Sequence, residues 1–162
     1  MSTPEHKQLI WNIIKEIKVG MLVTDDEDEG ILRGRPMHLV QKDYDGTLYF
    51  YTPKHSSKVF EIKDHRDVCI TFSNPDDQVY VSLSGKAQLT QDRELINRYW
   101  NPWAEAWFED GKEDEDVAML KVKINKGEHW DTDENGLVQA FEIAKANVTE
   151  GTPDIGENVK FG

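Results

Sequence analysis

The longest regular alternation of apolar and polar residues runs from Val79 to Leu89 and constrains the fold more than any other feature. Because successive strand side chains point to opposite faces, this pattern predicts a long strand with one buried and one exposed face. Asn74-Pro75-Asp76-Asp77, immediately before it, is a strong turn signal. The inward positions are Val79, Val81, Leu83, Gly85, Ala87 and Leu89, and the outward ones are Tyr80, Ser82, Ser84, Lys86 and Gln88.

Shorter segments of the same kind supply neighbours for this strand. Pro36 lies inside one of them and removes a ladder donor, so we expect it at an edge, at a bulge or facing a ligand. Strands are predicted at 21–24, 31 to about 41, 47–52, 68–73, 79–89 and 120–124. Helices are predicted from Pro4 to a stop at Gly20, from Ser56 or Ser57 to Lys63, from Asp92 to Tyr99, beyond Pro102, and from about Leu137 to Asn147. Six strands with flanking helices predict a closed antiparallel barrel, which is a mainly β fold of the α+β class.

The length and charge of the chain narrow the possible partners. With 162 residues it suits one domain, which we place at residues 1–148, followed by a polar tail at 149–162. Nineteen basic and thirty-one acidic residues give a net charge of −12, which disfavours general binding to nucleic acid or to an anionic membrane. Since no stretch of about 18 apolar residues occurs and the N-terminus lacks the apolar region of a signal peptide, we expect a cytoplasmic protein.

The segment from Arg33 to Lys58 has the composition of an anion site. Arg33, Arg35 and Met37 alternate onto one strand face unless a bulge at Pro36 changes the parity. The sequence Ser56-Ser57-Lys58 falls where a helix begins, and helix N-termini offer free N–H groups to phosphate. Solvated arginines and an ordinary serine cap would explain the same residues, so this segment alone leaves both interpretations open.

Several other motifs have a structural alternative. Trp100, Trp103 and Trp107 recur at helical spacing, which is typical of packing or of a buried dimer contact, although Trp107 or Phe108 could also cover a ligand groove as a lid. Six of the eight residues from 109 to 116 are acidic, and we expect a solvated loop there.

Metal binding finds little support in the sequence. The residues Asp131, Asp133, Asn135, Gly136 and Glu142 fit a calcium-loop pattern, but the preceding segment reads as a strand rather than the helix that such a loop needs. The histidines have no zinc-site spacing, so no metal site is predicted. His38 could touch a groove near Pro36, although a lone strand histidine is more often packed.

Together, a set of short motifs in a fixed order resembles the general stress protein branch of the pyridoxamine phosphate oxidase-like, FMN-binding split barrels. The resemblance covers nearly the whole chain. The motifs are Arg35-Pro36-Met37, Phe50-Tyr51-Thr52, Ser56-Ser57-Lys58, Tyr80 to Gly85, Trp100-Asn101-Pro102 with Trp107-Phe108, and Glu128-His129-Trp130-Asp131.

This resemblance implies a six-stranded antiparallel split β-barrel that forms a homodimer, with a flavin in each of two grooves between the subunits. The cofactor implied is FMN, with FAD or another flavin possible. By resemblance, the isoalloxazine ring is lined by Arg35, Pro36 and Met37 and held at its edge by Tyr51 and Thr52, the phosphate is bound by Ser56, Ser57 and Lys58, and Tyr80 and Trp130 contact the flavin, the tryptophan from the second subunit.

One departure bears on the substrate. Members that oxidise pyridoxamine phosphate carry arginines after the tryptophan that corresponds to Trp130, whereas the last arginine here is Arg98. We therefore expect an FMN-dependent oxidoreductase that acts on a different, unidentified small molecule, and no catalytic residue stands out. A non-catalytic flavin carrier or sensor in stress responses is the alternative, and a barrel that has lost the cofactor and serves as an interaction module is a third possibility.

Overall fold

The structure is a computed structural model, and it describes residues 4–26, 29–56, 66–131 and 157–161. The helix expected at 56–63 lies outside these ranges except for Ser56, and the helix expected at 137–147 and most of the calcium-like loop also lie outside them. The elements are α1 (Pro4–Ile17), β1 (Val19–Asp26), β2 (Ile31–His38), β3 (Thr47–Pro53), β4 (Asp67–Asn74), β5 (Val79–Thr90), α2 (Arg93–Tyr99), α3 (Pro102–Trp107), a 3-10 turn (Gly111–Glu113), β6 (Val117–Asp131) and β7 (Glu157–Phe161).

Six strands form one curled antiparallel sheet in the order β2-β1-β4-β5-β6-β3, and β7 pairs with β6 outside that order. Leu39, just beyond β2, forms an isolated antiparallel bridge with Phe50 of β3. The two end strands of the sheet therefore meet at one point and close a barrel there. This arrangement confirms the split barrel, and it places Pro36 on an end strand, which is one of the three positions expected for it.

The strand β5 is the central element that the alternation predicts. Val81, Leu83 and Ala87 are buried, and their outward neighbours are partly or fully exposed. The register against β6 shifts at Ser84 and Gly85, where an added Cβ would lie 2.3 Å from the carbonyl oxygen of Lys123. Glycine at position 85 thus leaves room for a bulge in the partner strand β6, where Asn125 is the extra residue.

The main core lies inside the curled sheet and is covered at one side by α1. Ile10 and Ile14 of this helix are almost fully buried against strand residues such as Ile70 and Phe72. The helix ends at Ile17 rather than at Gly20 as predicted, and Lys18 adopts a positive φ of 71°. Gly20 belongs to β1, where an added Cβ would lie 2.8 Å from the ring of Phe72, so packing rather than helix termination requires it.

A second, smaller core lies on the outer face of β3 and the first part of β6. Tyr49 and Tyr51 share that face as predicted, and α2 and α3 cover them. Asp92 caps α2 and Asn101 caps α3, with Pro102 separating the two helices as expected. The residues of this second core are Tyr49, Tyr51, Ile96, Ala104, Phe108, Val117 and Met119.

Two segments contain more strand than the sequence indicates. The strand predicted at 120–124 extends over all of Val117–Asp131, because successive stretches of it pair with β3, β5 and β7. The short β7 falls within the segment expected to be a polar tail, where its backbone pairs with Gly127 to Asp131. The last part of β6 and all of β7 are too polar for the sequence to predict a strand there, and pairing with neighbouring strands stabilises them.

Candidate functional site

The split in the barrel opens between β2 and β3. Continuing the register of the Leu39 and Phe50 bridge would place Met37 opposite Thr52, but within the described residues no further bridge forms. A cleft of about 390 Å³ occupies this divergence, with α3 on one side. Its lining is mostly apolar or aromatic, and the residues are Val19, Pro36, Met37, His38, Tyr51, Pro53, Trp103, Trp107 and Phe108. Three residues predicted to surround a ring, Pro36, Met37 and Tyr51, therefore meet in one cleft.

The arginine side of the site is formed by β2. The register with β1 is continuous through Pro36, so no bulge intervenes and Arg33, Arg35 and Met37 share the inner face. Met37 is buried and joins the main core while still lining the cleft. Arg35 is half-buried and does not belong to the cleft lining, and its Nη2 donates a hydrogen bond of 3.1 Å to Oγ1 of Thr24 on β1.

Tyr51 reaches the site differently from what the sequence suggests. Its hydroxyl donates a hydrogen bond of 2.5 Å to the carbonyl oxygen of Ile96, and its ring meets that of Trp100 edge to face. Burial, with a smaller contribution from Tyr99, raises the pKa of Tyr51 well above its ordinary value, so the phenol stays neutral. The hydroxyl group of Tyr51 is therefore used in packing under α2. Only the ring and the backbone of Tyr51 can contact a ligand in the cleft.

A tight turn follows β3 at the rim of the cleft. Thr52 is buried, and its Oγ1 lies 3.1 Å from Oγ of Ser56. The backbone N–H of Ser56 donates to the carbonyl oxygen of Pro53 at 3.1 Å. Two hydroxyl groups are thus gathered where the sequence predicts a phosphate seat. The other predicted members of that seat, Ser57 and Lys58, lie outside the described residues.

The three tryptophans divide between two environments. Trp100 turns inward, where its Nε1 donates to Glu105 and its ring packs on Phe108. Trp103 and Trp107 instead line the cleft, and Trp107 is 69% exposed. The role of the cluster, left open by the sequence, is therefore structural for one member and surface-forming for the other two.

His38 is the site residue that sequence reasoning undervalued. Its ring stacks on Trp103 with centroids 4.7 Å apart, and it lines the cleft. Its Nδ1 lies 3.0 Å from the carbonyl oxygen of Leu39, which assigns the proton to Nδ1 and leaves Nε2 as the outer ring nitrogen. The signal was its place two residues after Pro36, on the same face of the strand.

Tyr80 and Trp130 lie apart from this cleft. They are direct cross-strand partners of β5 and β6 on the outer face of the sheet, and each is 38% exposed. Neither belongs to the cleft lining, because β6 pairs with β3 through Val117 to Lys123 and carries Trp130 near its other end. Within one chain the structure therefore does not bring these two predicted residues to Pro36, Met37 and Tyr51.

The described ranges contain neither a cluster of metal ligands nor a membrane-spanning helix. No three His, Cys, Asp or Glu side chains in them gather so as to hold a metal ion. No helix in the described part of the chain is both long and apolar enough to cross a membrane. Among the residues that line the cleft, His38 and Tyr51 are the titratable ones.

Comparisons with known proteins agree with this architecture. General stress protein 26 of Bacillus subtilis is 28% identical over 128 residues, which are 76% of this chain and 86% of that protein. Protein bli-3 of Neurospora crassa is 29% identical over 141 residues, which are 82% of this chain and 68% of that protein.

Solved structures give the same result. A protein described as a general stress protein 26 from a Jannaschia species superposes with a TM-score of 0.75 at 29% identity, covering 98% of this chain and 99% of that one. The general stress FMN/FAD binding protein of Xanthomonas citri gives 0.73 at 28% identity, covering 82% and 93%. The family model described as pyridoxamine 5'-phosphate oxidase like matches residues 5–154. The chain therefore belongs to the pyridoxamine 5'-phosphate oxidase-like family.

Proposed function

We propose that this protein binds a flavin, FMN in the first instance, in the cleft at the barrel split. The observation that carries the proposal is the meeting of Pro36, Met37 and Tyr51 around one mostly apolar cleft, with the Thr52 to Ser56 turn at its rim. A ligand that joins a flat ring to a phosphate matches both parts.

The ring part fits the physical character of the cleft. Its walls are apolar or aromatic, as a flat heteroaromatic ring requires. In the described residues, β2 pairs along its length with β1, and β3 pairs with β6. Beyond the Leu39 bridge, the described edges of β2 and β3 that face each other form no further bridge. Their backbone groups can therefore form hydrogen bonds with the polar edge of a ring.

The phosphate part fits the rim of the cleft. The net charge of the chain is −12, so an anion needs local cations. Arg35 directly precedes Pro36 on β2, and Lys54 directly follows Pro53 of β3. The hydroxyls of Thr52 and Ser56 add hydrogen-bonding groups. We include Ser57 and Lys58 in this seat on the strength of the sequence motif alone.

Similarity supports the same ligand. The Xanthomonas citri relative is named for FMN/FAD binding, and it matches 82% of this chain at 28% identity. Together with family membership over residues 5–154, this favours a flavin over other ligands with a ring and a phosphate.

For activity, we propose an FMN-dependent oxidoreductase acting on an unidentified small substrate. A bound flavin would supply the electron transfer, and the chain would position the substrate and exclude water. Because the Tyr51 hydroxyl is held by Ile96, His38 is the cleft residue able to exchange a proton. Because only one described residue of the cleft lining can serve in proton transfer, a non-catalytic flavin carrier or sensor is the second candidate function. The absence of arginine after Arg98 argues against pyridoxamine phosphate as substrate.

We further propose a cytoplasmic homodimer. Val19, Met21, Leu32, Tyr80 and Trp130 leave between 38% and 73% of their surface exposed, and all lie on the outer face of the sheet. Such a group of exposed apolar side chains is typical of an interface. A second copy seated there would also explain how Trp130, remote from the cleft of its own chain, reaches a flavin.

The test is the visible spectrum of the purified protein, followed by titration of the ligand-free protein with FMN. We expect a yellow protein whose chromophore has the mass of FMN. The double variant Lys58→Ala/Arg35→Ala should weaken FMN binding by several kcal/mol, since each charged hydrogen bond contributes about 1.5–3 kcal/mol. Arg98→Ala, an exposed arginine paired with Glu94, is the matched control and should bind normally.

Two outcomes decide between the candidates. Steady oxidation of a reduced nicotinamide by the yellow protein would support the oxidoreductase, and a flavin that is reduced once without cycling would support the carrier. A colourless protein that takes up no FMN would overturn the proposal and favour an interaction module.

A further inference from the structure

The acidic loop at residues 109–116, expected to be simply solvated, is fastened to the fold. Nε2 of Gln91, at the end of β5, donates to the carbonyl oxygens of Glu115 and Val117 at 3.0 and 3.1 Å. Nη1 of Arg93, at the start of α2, donates to the carbonyl oxygen of Lys112 at 2.7 Å. The loop is therefore held by two side chains of the neighbouring connection.

Within the loop, hydrogen bonds fix the position of Asp116. Its backbone N–H donates to Oδ1 of Asp114 at 2.9 Å, and the N–H of Val117 donates to the carbonyl oxygen of Asp114 at 3.1 Å. Asp116 comes directly before β6, whose first residue Val117 pairs with Pro53 of β3. The backbone of Asp116 is thus fixed by these contacts, and so is the point from which its carboxylate extends.

Asp116 accepts hydrogen bonds from the turn that follows β3. Its carbonyl oxygen accepts the N–H of Lys54 at 2.7 Å, and its Oδ1 accepts the N–H of His55 at 3.1 Å. Nε2 of His55 lies 3.7 Å from the same oxygen. Two successive backbone donors of the turn are therefore held by one residue, immediately before Ser56.

We infer that Asp116 is a positioning residue for the phosphate seat, holding the turn from Pro53 to Ser56 in the conformation that presents Ser56. This inference rests on the proposed flavin function. A carboxylate repels a phosphate, so contact with the ligand does not explain the position of Asp116. Its hydrogen bonds to the backbone of the turn do. A turn fixed in advance lowers the ordering cost of binding.

The experiment compares FMN with riboflavin, which has the same ring but no phosphate. Dissociation constants are measured for the wild type, Asp116→Ala, Asp116→Asn and Glu115→Ala. We expect Asp116→Ala to weaken FMN about five- to tenfold, as for the loss of one hydrogen bond, and to leave riboflavin unchanged. Asparagine keeps an acceptor oxygen, so it should restore FMN affinity. Glu115→Ala removes the same charge from a neighbouring exposed side chain and should match the wild type.

Amide hydrogen exchange on the ligand-free wild type provides a second measurement that needs no variant. The amide of His55 should be protected if Asp116 holds it. Rapid exchange at His55, an unchanged FMN affinity in Asp116→Ala, or equal losses for FMN and riboflavin would each overturn the inference while leaving the flavin proposal intact. Failure of the wild type to bind FMN would overturn the proposed function and this role with it.

Discussion

The outer face of the sheet consists of two halves that differ in what covers them. Over β3 and the start of β6, α2 and α3 bury Tyr49, Tyr51 and Met119 to 7% exposure or less. Over β1 and β2, Met21 remains 43% exposed and Leu32 73% exposed. We refer to these as the covered half and the open half.

The difference does not come from the strands themselves, since both halves present large apolar side chains. It comes from where the chain places its helices after β5. The covered half forms a second core within one molecule, and the open half is left for another surface, which we propose to be a second copy. The cleft lies at the border, with Tyr51 from one half and Val19 from the other.

The largest expected effect is on stability, from a matched pair of methionines. Met119→Ala in the covered half should lower the free energy of unfolding by about 2–5 kcal/mol, because Met119 is fully buried. Met21→Ala in the open half should change the stability of the monomer by about 0.5 kcal/mol or less. Urea unfolding at low protein concentration measures both. Equal costs would mean that the two halves are equally covered.

Removing one hydroxyl group tests the covered half more finely. Tyr51→Phe should cost about 1–3 kcal/mol, because the Ile96 carbonyl oxygen loses its buried donor. Tyr80→Phe, on the exposed outer face of β5, is the control, with an expected change of about 0.5 kcal/mol or less. FMN affinity should hardly change in Tyr51→Phe, and a large loss would show that the phenol contacts the ligand directly.

Alkaline pH probes the same tyrosine without a change of volume. Burial raises the pKa of Tyr51 in the folded protein above the unfolded value of 10.0, so its contribution is fully present below pH 10 and is lost as pH rises from there towards the folded pKa. The slope from this group is at most about 1.4 kcal/mol per pH unit. Urea midpoints at pH 8 to 11 should fall less steeply in Tyr51→Phe than in the wild type.

The smallest effect is expected at the border, where a tryptophan is exposed. Trp107→Ala should leave stability almost unchanged, and it should weaken FMN about two- to tenfold if its ring contacts the flavin, as for one aromatic pair. Trp100→Ala, which removes an inward-facing ring, should instead lower stability with little effect specific to the ligand. A reversed pattern would exchange the roles assigned to the two tryptophans.

Much of the fold could be predicted because local patterns and packing agree. The alternation of β5, the turn at Asn74 to Asp77 and the division of α2 from α3 at Pro102 all appear in the structure. The extent of β6 could not be predicted, because its last residues are polar and their strand conformation depends on β5 and β7. Glycine often ends helices, so the sequence predicts that α1 ends at Gly20, whereas in the structure Gly20 makes room for Phe72.

The candidate site shows the same division. Residue type and order are enough to predict the strand that carries Arg35, Pro36 and Met37, the serines that follow β3, and the family. The fold was needed to show that β2 and β3 separate beyond Leu39, that His38 and Trp103 line the opening, and that Asp116 binds the backbone of the turn. Contacts between residues far apart in the chain depend on how the sheet curls, and a strand's own periodicity contains no information about the element that packs beside it.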